Sequence, residues 1–104
     1  MAGLKDKLTR GQDVKVSLDG EDKNFRVIDT DIGRNSITIL GDVDRFANNP
    51  NPMDSAVHVV YLDDRSKLDT DETIAPYDGK YKIGSFPTGH KRYDEVKTIM
   101  EGGN

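Results

Sequence analysis

Apolar and polar residues alternate over the first forty positions in the way that β-strands require. In residues 13–19, three apolar side chains fall on one face of an extended strand: Val14, Val16 and Leu18. A turn over Asp19-Gly20-Glu21-Asp22 leads to a second strand over residues 24–30, and a third follows over residues 36–40. Strands joined by turns this short predict an antiparallel meander.

Residues 56–62 are the most apolar strand candidate in the chain. Val57, Val59 and Tyr61 fall on one side of such a strand, and Val60 and Leu62 fall on the other. Apolar residues on both sides are typical of a strand that is buried on both faces. We therefore predict that this strand lies centrally in a sheet.

The segments around this strand carry weaker signals. Gly41 is expected to end the meander, and Asp42 to cap one helical turn that buries Val43 and Phe46. Residues 46–53 are rich in Asn and Pro, which suits either a rigid connection or a loop that contacts another protein. Residues 63–72 are the most polar segment, which predicts an exposed loop.

The Asp78-Gly79 pair predicts a second hairpin. It lies between strand candidates at residues 73–77 and 80–86, and a two-residue Asp-Gly loop matches a type I′ turn. Pro76 has no N–H to donate to a ladder, so we expect this hairpin at the edge of the sheet.

An amphipathic helix is predicted over residues 91–101. Its apolar stripe consists of Tyr93, Val96, Ile99 and Met100, and Gly102-Gly103 is expected to end it. The whole pattern predicts one mainly β (α+β) domain over residues 1–104. We expect about five strands in a small curled antiparallel sheet, or an SH3-like or OB-like barrel, followed by the C-terminal helix. A flat sheet with the helix packed on one face is the alternative.

Composition limits both the core and the partners. The hydrophobic fraction is 34% without Gly, whereas typical domains reach roughly 45–50% when Gly is counted. The 10 Gly of this chain narrow that gap but add no core volume. We therefore expect a small core, or one that a second copy or a partner completes. The net charge of −4 disfavours broad binding to a phosphate backbone, which needs clustered positive charge. With no apolar run of membrane-spanning length and no apolar signal core, we expect a cytoplasmic protein without a membrane partner.

Motifs for catalysis or metal binding are weak. The chain has no Cys, and its two histidines, His58 and His90, lack the spacing of a zinc site. The acidic residues within 63–72 lack the Gly and the Glu that an EF-hand loop requires. We therefore expect no catalytic residue, no metal site and no cofactor, and a protein that is not an enzyme.

One basic segment is the candidate binding site for an anion or a partner: Lys80, Lys82, His90, Lys91, Arg92 and Tyr93. A Gly-containing loop over residues 84–89 leads into the helix, where free N–H groups and the helix dipole favour an anion. Alternatively, the helix begins one turn later with Asp94 and Glu95 in its first turn, and the lysines are simply solvated.

These features predict a small non-enzymatic binding or regulatory protein with a protein partner, such as the inhibitors and accessory factors that phages encode. The alternative is a small barrel that binds a nucleotide or single-stranded nucleic acid through the basic segment 80–93. An exposed sheet edge would offer unpaired backbone groups to a second copy. A homodimer is therefore slightly favoured over a monomer.

Overall fold

A computed structural model describes residues 8–32, 37–47, 56–69 and 73–102. All six of its strands belong to one mixed sheet in the order β5-β1-β2-β3-β4-β6. The mainly β prediction is confirmed, with six strands instead of about five and a C-terminal helix. The elements are β1 (Asp13–Leu18), β2 (Glu21–Ile32), β3 (Ile37–Asp42), α1 (Val43–Ala47), β4 (Val57–Leu62), β5 (Ile74–Pro76), β6 (Tyr81–Phe86) and α2 (Tyr93–Met100).

The predicted meander forms the centre of the sheet. Strands β1 to β4 pair antiparallel in sequence order. The β1–β2 hairpin turns through Asp19 (φ 53°) and Gly20 (φ 81°). Both residues are left-handed, as a type I′ turn requires. The predicted turn is therefore confirmed at Asp19-Gly20, whereas Glu21 and Asp22 already belong to β2.

Gly41 does not end the meander, so that prediction is wrong. β3 continues through Gly41, which pairs with Arg26 and Val59 on its two sides. Met100 packs where a side chain on Gly41 would lie. Asp42 does cap α1, because its Oδ1 accepts the N–H of Arg45 at 3.1 Å. Most of the predicted contact loop, from residue 48 onward, lies outside the described residues.

β5 and β6 do not form the predicted hairpin. β5 pairs parallel with β1, and β6 pairs antiparallel with β4, so the two strands lie at opposite edges of the sheet. Gly79 does not have the positive φ that a type I′ turn requires. Leu68, from the segment predicted to be an exposed loop, is fully buried and bridges to Tyr77. These non-local pairings outweigh the local Asp-Gly signal.

The sheet is curled but not closed. A flat six-stranded sheet would separate its edges by five spacings, or about 24 Å. The five Cα–Cα steps from Pro76 to Tyr81 span at most about 18 Å. The N–H of Tyr77 donates to the carbonyl of Ser17 on β1 at 3.1 Å, directly after β5. The two edges therefore approach each other at this end of the sheet, although β5 does not pair with β6.

Apolar side chains pack on both faces of this sheet. β4 contributes to both, since Val60 and Leu62 lie on one face and Val57 and Val59 on the other, as predicted. It lies between β3 and β6, second from an edge. The sheet cluster consists of Leu8, Val14, Val16, Leu18, Phe25, Val27, Leu40, Val60, Leu62, Leu68 and Ala75. The helix cluster consists of Ile28, Ile39, Val57, Val59, Phe86, Tyr93, Val96, Ile99 and Met100.

Helix α2 covers the helix cluster with its predicted apolar stripe. It begins at Tyr93 instead of Lys91, so the later of the two predicted starts is the one observed. Gly102 (φ 88°) ends the helix, and its N–H donates to the carbonyl of Ile99 at 3.0 Å. This left-handed glycine after the last turn is a common way for a helix to end.

Candidate functional site

The two edge strands of the sheet differ in how far their outer backbone groups are covered. β5 is only three residues long and ends at Pro76. The preceding segment also covers it, because the N–H of Asp69 donates to the carbonyl of Pro76 at 3.2 Å. β6 is six residues long and pairs, within the described part of the chain, with β4 alone. β6 is therefore the edge that presents unpaired backbone groups.

The register shows which backbone groups of β6 point outward. The N–H of Asp63 donates to the carbonyl of Lys80 at 3.1 Å, which extends the β4–β6 ladder by one pair. Hydrogen-bonded pairs alternate with non-bonded pairs in an antiparallel ladder. The even-numbered residues Lys82, Gly84 and Phe86 therefore bond to β4. The odd-numbered residues Tyr81, Ile83 and Ser85 direct their N–H and C=O groups to the outer edge.

Apolar surface lies on both faces of this edge. Ile83 is 74% exposed, and no other large hydrophobic residue among those described is exposed. On the opposite face, the ring of Tyr61 packs over Gly84, where a Cβ atom would lie 2.5 Å from the ring. A strand added next to β6 would therefore meet an apolar side chain on each face.

An open groove of about 1020 Å³ lies at the beginning of β6. Its acidic residues are already bonded within the protein. The hydroxyl of Tyr77 donates to Asp63, and that of Tyr81 donates to Asp19. Hydrogen bonds from the hydroxyl and N–H of Ser66 lower the pKa of Asp64. The groove lining includes Ile37, Tyr61, Leu62, Lys80, Lys82 and Ile83.

Two lysines beside these acids have no charged partner in the described part of the chain. Lys80 and Lys82 are exposed, and neither forms an ion pair with a described residue. They lie two positions apart and so project on the same face of the strand, the face that carries Tyr61. Positive charge is thus available at the beginning of the β6 edge.

The structure separates the six residues of the predicted basic site into two groups. Lys80 and Lys82 lie at the beginning of β6, whereas His90, Lys91, Arg92 and Tyr93 follow its end. Lys82 and Phe86 are four residue steps apart along an extended strand, a distance of about 13 Å. The six residues therefore do not form one continuous patch.

Arg92 is engaged by two carboxylates of the protein itself. Its guanidinium donates to Asp29 on β2 at 2.7 Å and to Glu95 at 2.9 Å. The hydrogen bond to Glu95, followed by that to Asp29, raises the pKa of Arg92, and the same bond with Arg92 lowers the pKa of Glu95. A cation at the start of a helix is unfavourable unless an anion answers it. Here those anions come from within the chain.

The other residues of this group also make internal contacts. Tyr93 is 9% exposed and belongs to the helix cluster. The ring of His90 stacks edge-on against Phe86, with centroids 4.9 Å apart, and its Nδ1 accepts the N–H of Arg92 at 3.0 Å. Lys91 is exposed. Three of the predicted site residues have charged ends that make no internal contact of this kind within the described part of the chain: Lys80, Lys82 and Lys91.

Ile83 was not identified from the sequence. Its signal is an isolated isoleucine between polar or small residues in a strand that carries lysines. That pattern does not show which face of the strand is buried, so it is equally consistent with Ile83 in the core and with Ile83 on the surface. Only the position of β6 at an edge shows that its side chain is exposed.

No group of three or more metal-binding side chains occurs among the described residues. Within the same residues, no helix is long and apolar enough to cross a membrane. No protein-family model, curated protein or solved structure matches this chain.

Proposed function

We propose that the chain is a small non-enzymatic binding protein that engages a protein partner by adding a strand of that partner to β6. The observation that carries this proposal is the contrast between the two sheet edges. β5 is short and covered, whereas β6 has an exposed Ile83 and three outward-facing residues whose N–H and C=O groups bond to no described residue. Addition of a strand to an open edge is a recurrent mode of peptide recognition.

The low hydrophobic content supports the same proposal. A strand added at β6 would extend the curled sheet toward β5 and cover Ile83. In the complex with the partner, the sheet would thus come closer to the SH3-like or OB-like barrel expected from the sequence. A regulator or inhibitor of the kind that phages encode fits this mode of action.

The nucleotide or nucleic-acid alternative has less support. It uses the basic segment 80–93, in which Arg92 is bonded to Asp29 and Glu95 and Tyr93 is buried. The basic residues are also divided between the two ends of β6. The edge strand with its apolar side chains favours a peptide, which uses backbone groups that a phosphate chain does not need.

Capture from a lysate of the native host with four versions of the protein tests this proposal. Ser85→Pro removes an outward N–H without breaking the β4 ladder, and Ile83→Asp removes the exposed apolar group. Thr98→Asp introduces the same charge on an exposed position of α2 and serves as the control. Amide spectra first establish that all variants are folded.

We expect one defined protein to be retained by the wild type and by Thr98→Asp, and to be lost by both β6 variants. Equal retention by all four versions would contradict the proposal. Turnover of a substrate by the purified protein alone would contradict its non-enzymatic part.

A further inference from the structure

We propose that the strand received by β6 is an extended acidic segment, with acidic residues at two alternate positions and an apolar residue beside them. This inference rests on the proposed function and specifies its partner. It is carried by the juxtaposition of two lysines without an ion-pair partner among the described residues, on one face of the edge, with an exposed isoleucine on the other.

The first step concerns the charges around Lys80 and Lys82. Their neighbours across the ladder on β4 are Asp63 and Tyr61. The carboxylate of Asp63 accepts the hydroxyl of Tyr77, and the groove's other acids, Asp19 and Asp64, are hydrogen-bonded elsewhere. These donors are neutral, so the carboxylates keep their charge, but neither lysine forms an ion pair with a described residue. Both ammonium groups can therefore pair with carboxylates on the outer side of β6.

The second step concerns the geometry of an added strand. Residues directly opposite each other in neighbouring strands have Cβ atoms about 4.5–5.5 Å apart and form pairs. Residues opposite Lys80 and Lys82 share a face of the added strand because they are two positions apart. Carboxylates at these two positions neutralise both lysines at once.

The third step concerns Ile83, which lies on the other face. The residue opposite Ile83 directly adjoins the one opposite Lys82, and an apolar side chain there covers the exposed isoleucine. An antiparallel partner then has the order apolar, acidic, any, acidic. A parallel partner has the reverse order.

A second copy of this chain satisfies these requirements less well. Two β6 strands paired antiparallel about Ile83 would place Lys82 opposite Gly84 of the second copy and Lys80 opposite Phe86. The isoleucines would meet, but all four lysines would remain unpaired. A single-stranded nucleic acid would meet the lysines and leave the outward backbone groups and Ile83 unused.

Fluorescence anisotropy with labelled ten-residue peptides tests the inference. The acidic peptides carry the two orders given above, and matched peptides replace both acids with glutamine or lysine. The protein variants are Lys80→Glu with Lys82→Glu, Ile83→Asp and Ser85→Pro. Arg45→Glu with Lys97→Glu makes the same charge change at exposed positions of α1 and α2, outside the predicted basic site, and is the control.

We expect one acidic peptide to bind the wild type and the control, more weakly at high salt. Reversal of the charges at Lys80 and Lys82 should weaken binding of the acidic peptide at least about tenfold. It should also create binding to the lysine peptide. Ile83→Asp and Ser85→Pro should each weaken the acidic peptide as well. Rescue by the lysine peptide is a result that mere destabilisation of the protein would not give.

Other outcomes overturn the inference in distinguishable ways. If the glutamine peptide binds as well as the acidic one and is still lost in Ser85→Pro, the acidic preference fails while the proposed function stands. If a labelled single-stranded oligonucleotide binds and Ser85→Pro does not affect it, both fail. A dimer in light scattering that Ser85→Pro converts to a monomer would assign the edge to a second copy.

Discussion

The hydroxyl of Tyr81 on β6 donates to the carboxylate of Asp19 in the β1–β2 turn, at 2.7 Å. In the order of the sheet, β2, β3 and β4 separate β1 from β6. A tyrosine side chain can bridge these elements only because the sheet curls back on itself. The bond therefore spans the open side of the sheet and helps to fix the position of the β6 edge.

We predict that Asp19→Asn lowers the pKa of Tyr81. The hydrogen bond to Asp19, together with burial and the negative charge of that carboxylate, raises the pKa of Tyr81 above its usual value. A pKa that is higher in the folded protein contributes stability below the unfolded value, about 10, and this contribution is lost as the pH rises through the folded value. Titration of the Tyr81 ring by NMR measures the change. Asp78→Asn is the control, and an unchanged Tyr81 pKa in Asp19→Asn would contradict the bond.

Arg26 should be the main polar anchor of α2. Its guanidinium donates to the last helix carbonyls, those of Ile99 and Met100, at 3.1 and 2.6 Å, and to Asp13 on β1. Arg26→Met removes these donors but keeps the apolar stem, and we expect the free energy of unfolding to fall by about 2 kcal/mol. Urea denaturation measures this loss.

Asp13→Asn is the matched comparison for that anchor. It weakens only the ion pair between Arg26 and Asp13, which is open to solvent because the Asp13 side chain is 67% exposed. We expect a loss below about 1 kcal/mol. Equal losses in the two variants would show that the helix carbonyls do not depend on Arg26.

Thr38 offers a stabilising substitution. It is fully buried on β3, and its hydroxyl has no hydrogen-bond partner among the described residues. Thr38→Val replaces the hydroxyl with a methyl group of similar size and should raise the free energy of unfolding by about 1 kcal/mol. Thr38→Ser, which keeps the hydroxyl and loses the methyl group, should lower it by about 1 kcal/mol. A loss in both variants would mean that the hydroxyl is satisfied in solution.

Local sequence signals predicted the parts of the fold that depend on neighbouring residues. The alternation in β1 and β4 and the turn at Asp19-Gly20 are properties of short segments, and each was confirmed. The prediction of a hairpin turn at Asp78-Gly79 was wrong because the strands on either side of it pair with β1 and β4, which are distant in sequence. Leu68 is buried although its segment is polar, because it packs in the sheet cluster with residues of β1 and β2.

The candidate site likewise combines features that the local sequence shows with features that depend on tertiary contacts. The basic character of residues 80–92 is visible in the sequence, and so is the need for an anion near Arg92. That Asp29 supplies such an anion depends on tertiary contact across 63 positions of sequence, and no local pattern reveals it. The exposure of Ile83 likewise follows from the place of β6 at the edge of the sheet.

Amide hydrogen exchange along β6, measured by NMR, tests the central claim most directly. We predict that in the free protein the amides of Tyr81, Ile83 and Ser85 exchange rapidly, whereas those of Lys82, Gly84 and Phe86 are protected by the bonds to β4. On addition of the captured partner, the three odd-numbered amides should become protected. Odd-numbered amides that are already protected in the free protein, or that still exchange rapidly in the complex, would contradict the assignment of β6 as the binding edge.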